Sequence, residues 1–179
     1  LWPHMWTPKK FKWSALFFYD AGGGAEVPFL IWEKLPAAER PKKTAIVMED
    51  SPDGQGFGGA FAAMAKKHKA EVVMNEPLAM GAKDYSAYIL KMKARGADAI
   101  LLFCNPTDAI TLVRQMKEQN FSVPYFHGWK GTWTGEFHEA PLPVAKIRSS
   151  SIVRSARLTP ISSPRVWPAG QPSTLPKTS

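Results

Sequence analysis

The feature that most constrains this chain is a repeated change of period between residues 44 and 126. Short apolar runs at 44–48, 71–75, 99–103 and 123–126 alternate with stretches in which apolar side chains recur every three or four positions. Runs of the first kind suit strands covered on both faces, and stretches of the second kind suit helices with one buried stripe. Phe57, Phe61, Met64 and His68 share the face of a first helix, Tyr85, Tyr88, Ile89 and Met92 that of a second, and Ile110, Val113 and Met116 that of a third. Asp84 is placed to cap the second helix and Gly96 to end it. Four strands joined through three helices predict right-handed crossovers, and so an α/β fold with a parallel β-sheet and helices on both faces.

Two flanks differ from this centre. Residues 1–40 are rich in aromatic side chains, among them Trp2, Trp6, Trp13, Phe29 and Trp32, with a Gly22-Gly23-Gly24 turn predicted ahead of a helix that holds Pro28 in its first turn. Those rings either line a ligand cleft or fill a core. The stretch AAERPKK then reads as a connector. Residues 141–179 hold seven Pro and eight Ser in 39 positions, with six bases and no acid. Such a composition cannot bury enough apolar surface to offset chain entropy, so a disordered tail is expected. The abrupt loss of acids after Ala140 also raises the expectation of a shifted reading frame from that point. The division that follows is 1–40, 41–140 and 141–179.

The formal charge of +8 would suit an acidic partner, but all 15 acids lie within residues 1–140 beside 17 bases, so the body is near balance. No nucleic-acid partner is expected, because the basic tail lacks interleaved aromatic residues and a folded platform. The lone Cys104 excludes a disulfide within the chain and any zinc site built on several cysteines. No apolar run approaches the roughly 20 residues that span a bilayer. The start at Leu1, without Met or a leader, suggests a piece of a longer chain from which a signal peptide was removed or omitted.

Few motifs carry chemistry. Gly54, Gly56 and Gly59 match G-x-G-x-x-G between a predicted strand and helix, the setting of a dinucleotide fingerprint. Glu49, Asp50 and Asp53 crowd the same turn and would repel a pyrophosphate, so glycines that let helix and sheet approach closely are the plainer reading. The four histidines show no zinc-helix spacing, no metal or cofactor is expected, and Cys104 reads as the small apolar end of a buried strand. The loop HGWKGTW follows the fourth run directly. Ligands of open parallel sheets gather outside the carboxyl ends of strands, which favours that loop for function.

Residues 41–131 resemble the second lobe of type I periplasmic solute-binding proteins, the leucine/isoleucine/valine-binding family that serves ABC importers. The resemblance rests on KKTAIVMEDSPDGQGFGGAF, on AEVVMNEPLAMGAKDYSAYILKMKARGADAILLF and on DAITLVRQMKEQNF, in that order. It implies that residues 1–40 end the first lobe and cross the hinge near 40–43, that a small solute sits between two lobes, and that a membrane permease reads their closure. It further implies a periplasmic location for the full-length form and no catalytic activity. The solute-contacting residues carried over are Asp53, Gln55, Asn105, His127 and Trp129. Amino-acid receptors of this family commonly place a carboxylate after the fourth strand, where this chain has HGWKGTW and no acid before Glu136. Either Asp53 substitutes for that carboxylate or the solute is an aromatic or carboxylated molecule rather than an α-amino acid.

Overall fold

The computed structural model describes residues 21–140 and 148–149. Helix α1 (Ala21–Glu33) is followed by β1 (Lys43–Glu49), α2 (Pro52–Lys67), β2 (Glu71–Leu78), α3 (Ser86–Ala94), β3 (Ala99–Phe103), α4 (Pro106–Glu118), β4 (Tyr125–Gly128), a 3-10 turn (Lys130–Thr132), the short α5 (Gly135–Glu139) and β5 (Arg148–Ser149). All pairings are parallel and the strand order is β2-β1-β3-β4-β5. The four expected strands are present, and β5 adds a two-residue fifth beside Tyr125 and Phe126. The rest of the Pro- and Ser-rich stretch lies outside the described residues, as do Trp2, Trp6 and Trp13.

Strand pleating splits the interior into two cores. On one face Ile46, Met48, Leu101, Phe103, Tyr125 and Trp129 meet Ala25, Phe29 and Trp32 of α1 and Phe61 and Ala65 of α2. On the other, Ala45, Val47, Ile100, Leu102 and Phe126 meet Ile89 and Met92 of α3 and Leu112, Val113 and Met116 of α4. The predicted inward stripes of α3 and α4 are therefore the packed ones, with Tyr88 and Ile110 at their margins. Residue 40 marks no break in packing, because α1 buries its stripe against the same sheet. The arrangement settles the aromatic residues of α1 as core.

Local chemistry explains the element ends. Ser51 precedes α2 and accepts the Gly54 N–H at 3.0 Å, with Pro52 at the first helical position. The Asp84 carboxylate accepts the Ser86 N–H at 2.8 Å, and hydrogen bonding from the Ser86 side chain, with this backbone bond adding to it, lowers its pKa. Gly96 ends α3 at φ 67°, a left-handed conformation that a side chain would strain. Pro28 departs from expectation: α1 includes the three glycines, so Pro28 lies inside the helix and the Gly24 carbonyl loses its usual donor.

β2 runs past the expected 71–75 to Leu78 and includes Pro77, which is tolerated because β2 is an edge strand. Its outer carbonyls are occupied: Arg95 donates to Val73 O at 2.9 Å and the Tyr88 hydroxyl to Pro77 O at 2.9 Å. An edge so covered offers less to a passing strand.

Candidate functional site

The chain order reverses between β1 and β3, and at such a point the loops leaving the two strands part to form a crevice. Glu49 ends β1 there. It is 3% exposed and both its carboxylate oxygens are engaged: Lys130 Nζ donates to Oε1 at 2.7 Å and Oε2 at 2.9 Å, and Ser51 Oγ donates to Oε1 at 2.9 Å. The lysine reaches it because the 3-10 turn folds back onto the end of β3. Gly131 lies so close that a Cβ would press on the carbonyl oxygens of Cys104 and Asn105. Thr132 Oγ1 donates to Gly128 O at 2.8 Å and fixes the turn's other end.

Around this ion pair runs a continuous series of rings. Phe103 stacks on Phe57 at 4.3 Å, Phe57 lies 5.6 Å from Trp129, and Trp129 lies 4.7 Å from Trp133. Lys130 Nζ sits 5.3 Å from the Phe103 centroid, within reach of a cation–π attraction. The series begins in the core and ends in water, since Trp133 is 52% exposed. An apolar surface with a few fixed polar groups at the carboxyl ends of strands is the usual make-up of a small-molecule site.

Residues 15–147, well over half of the 179, match the model for "Periplasmic binding protein". The chain belongs to the periplasmic binding protein family. An "Amino acid binding protein" of Pseudomonas aeruginosa is 33% identical over 86 residues, which are 48% of this chain and 23% of that one. A periplasmic binding protein type 1 from Bordetella pertussis superposes with TM-score 0.56 at 24% identity, over 68% of this chain and 30% of that one. A leucine binding protein from Thermotoga maritima gives TM-score 0.56 at 15% identity, over 63% and 31% respectively. At these identities the superpositions establish the fold, and the chain spans about a quarter to a third of the relatives' lengths.

The strand-end surface of this periplasmic binding protein shares Trp129 with the five residues singled out in its sequence. Trp129 belongs to the ring series, buried beneath Trp133. Asp53 and Gln55 lie exposed in the first turn of α2, where Gln55 Nε2 donates to Asp50 Oδ1 at 3.2 Å. Asn105 precedes α4 and is half-buried, its side chain making no cap bond. His127 falls inside β4 rather than in the following loop. It is 3% exposed, between Phe61 and Trp129, and burial holds its pKa down to about 4, so it is neutral at pH 7.

Sequence reasoning did not single out Glu49, Phe57, Phe103 or Lys130 as site residues. An acid closing an otherwise apolar run was a usable signal for Glu49. Lys130 carried none, since its partner lies 81 residues away.

The glycine fingerprint does not do what a dinucleotide site asks. Its third glycine should bring helix and strand together, yet a Cβ on Gly59 would meet nothing within 4 Å, and the same holds for Gly56. The close approaches are made by Gly54, against the Glu49 carbonyl, and Gly58, against Met48.

On the opposite face Tyr85 Oη lies 2.9 Å from Asp108 Oδ1, which also accepts the Gly81 N–H at 3.0 Å and pins the loop after β2. Burial raises the Tyr85 pKa, with Asp108 adding to it. Burial likewise raises the Cys104 thiol, ahead of the field of Asp108, which leaves it unreactive at neutral pH. Among the described residues no three His, Cys, Asp or Glu side chains gather as a metal set, and no helix is long and apolar enough to cross a membrane.

Proposed function

We propose that this chain supplies the second-lobe half of a solute receptor for an ABC importer, capturing a small molecule without transforming it. The solute lies against the carboxyl ends of β1, β3 and β4 and is an amino acid or an aromatic or carboxylated molecule. The observation that carries this reading is the buried Glu49–Lys130 pair set at the head of a ring series that emerges at Trp133. The related "Amino acid binding protein" and leucine binding protein support the solute class.

The whole receptor acts in the periplasm, with Asp53, Gln55 and Asn105 on the cleft side and a membrane permease as its partner. Ligand contact with both lobes then shifts the population from open to closed.

A thermal-shift panel of branched-chain amino acids, aromatic acids and NAD(P) tests the proposal. A small solute is expected to raise the midpoint and NAD(P) to leave it unchanged. Stabilisation by NAD(P) alone would replace this reading with that of a dinucleotide-binding domain.

A further inference from the structure

The charge at the head of the ring series belongs to a base, with Lys130 Nζ 5.3 Å from the buried Phe103 ring. Lys130 Nζ carries three protons, and Glu49 Oε1 and Oε2 account for two of them at 2.7 and 2.9 Å. Among the described residues Lys130 Nζ makes no third hydrogen bond, and the side chain is 37% exposed, so one N–H is left for a solute. Glu49 has little to offer in return. Its Oε1 accepts from Lys130 and Ser51, its Oε2 from Lys130, and the side chain is almost fully enclosed.

We infer that Lys130 is the specificity-determining residue of the floor and selects an aromatic carboxylate, an inference that rests on the proposed role of the strand ends as the solute floor. The solute's planar ring lies against the ring series that ends at Trp133, and its carboxylate takes the remaining Lys130 N–H as a charge-assisted hydrogen bond. The amino-terminal ends of α2 and α4 open at the same end of the sheet and favour an anion there. The ammonium of an α-amino acid would instead meet the Lys130 ammonium and find Glu49 occupied. The other rim acids, Asp50 and Asp53, are exposed, so water competes there for any ammonium.

The test is a titration of the ¹⁵N-labelled 179-residue chain with benzoate and, separately, with leucine, following the indole N–H signals of Trp129 and Trp133. Benzoate is expected to shift both signals and to bind about tenfold or more tightly than leucine. Lys130→Met should weaken benzoate by about tenfold or more, while Lys130→Arg, which keeps the donor and charge, should stay within about threefold of the parent. Because Lys130→Met strands the Glu49 carboxylate, the double variant Glu49→Gln with Lys130→Met replaces it if folding fails, with the same loss expected.

Leucine binding as tightly as benzoate, or benzoate affinity indifferent to Lys130, would overturn this inference and leave the solute floor standing. Indole signals unmoved by both solutes, and by every amino acid and aromatic acid of the thermal-shift panel, would overturn both.

Discussion

The two faces of the sheet share the same strands and are built from different materials. The face toward α3 and α4 is mainly aliphatic and closed, with Leu102, Ile100, Ile89 and Leu112 fully enclosed and its polar groups, Tyr85 and Asp108, bonded to one another. The face toward α1 and α2 is aromatic, leans on glycine for close approach, and opens to water at Trp133. Neighbouring residues of β3 show the contrast: Leu102 is core and nothing else, whereas Phe103 packs on Phe57 and carries Lys130 above its ring. One face holds the fold together, and the other carries its rings out to the strand ends.

The largest effect belongs to the closed face. Leu102→Ala should destabilise the chain by about 3 kcal/mol in urea unfolding, because the enclosed site cannot relax around the lost atoms. It should leave the benzoate response of the folded fraction intact.

The open face breaks differently. Gly54→Ala forces a Cβ onto the Glu49 carbonyl and should cost about 2 kcal/mol, while Gly59→Ala, with open space and helical geometry, should be neutral or stabilise by up to about 1 kcal/mol. A pair of thermal melts checks both. If Gly59→Ala proved the more damaging, the packing account of this motif would fail.

Phe103→Leu keeps most of the volume and should cost about 1 kcal/mol in urea unfolding, yet it removes the ring beneath Lys130 and should weaken benzoate severalfold. Unchanged benzoate affinity would detach Phe103 from the site.

The smallest effect is on pH dependence, and it has two signs on this one face. His68 stacks on Phe29 and meets a carboxylate at each ring nitrogen, Glu33 at 2.6 Å and Glu26 at 3.0 Å, an arrangement satisfied when both nitrogens carry protons. The hydrogen bond to Glu33, opposed by burial and reinforced by Glu26, raises its pKa above 6.5. Its contribution is therefore full below about pH 6.5 and lost as pH climbs through the raised value. His127 runs the other way: it is neutral in the fold, so its contribution is present above about pH 6.5 and lost as pH falls toward about 4. Unfolding midpoints measured from pH 4 to 9 should show His68→Gln flattening the alkaline limb and His127→Gln the acid limb.

Much of the fold was legible because period and punctuation agreed. Tyr85, Ile89 and Met92 fell at helical spacing between Asp84 and Gly96, and all three are buried. The bounds of β4 were not legible, since whether His127 belongs to a strand depends on a ladder with Leu101 set by chain far upstream. Pro28 misled for a related reason: the packing of Phe29 and Trp32 against the sheet holds α1 together in spite of the bond lost at Gly24. The candidate site was legible in place and not in chemistry. The strand-end rule led to the loop that contains Trp129 and Lys130, but pairing a buried Glu49 with a lysine 81 positions later is a product of sheet order.

A crystal structure of the chain soaked in benzoate tests the central claim most directly. The account predicts solute density against Trp133 with an oxygen on Lys130 Nζ. Density instead at the amino ends of the strands, in the hollow of about 460 Å³ bounded by Arg40, Lys42, Asp98 and Tyr125, would contradict it.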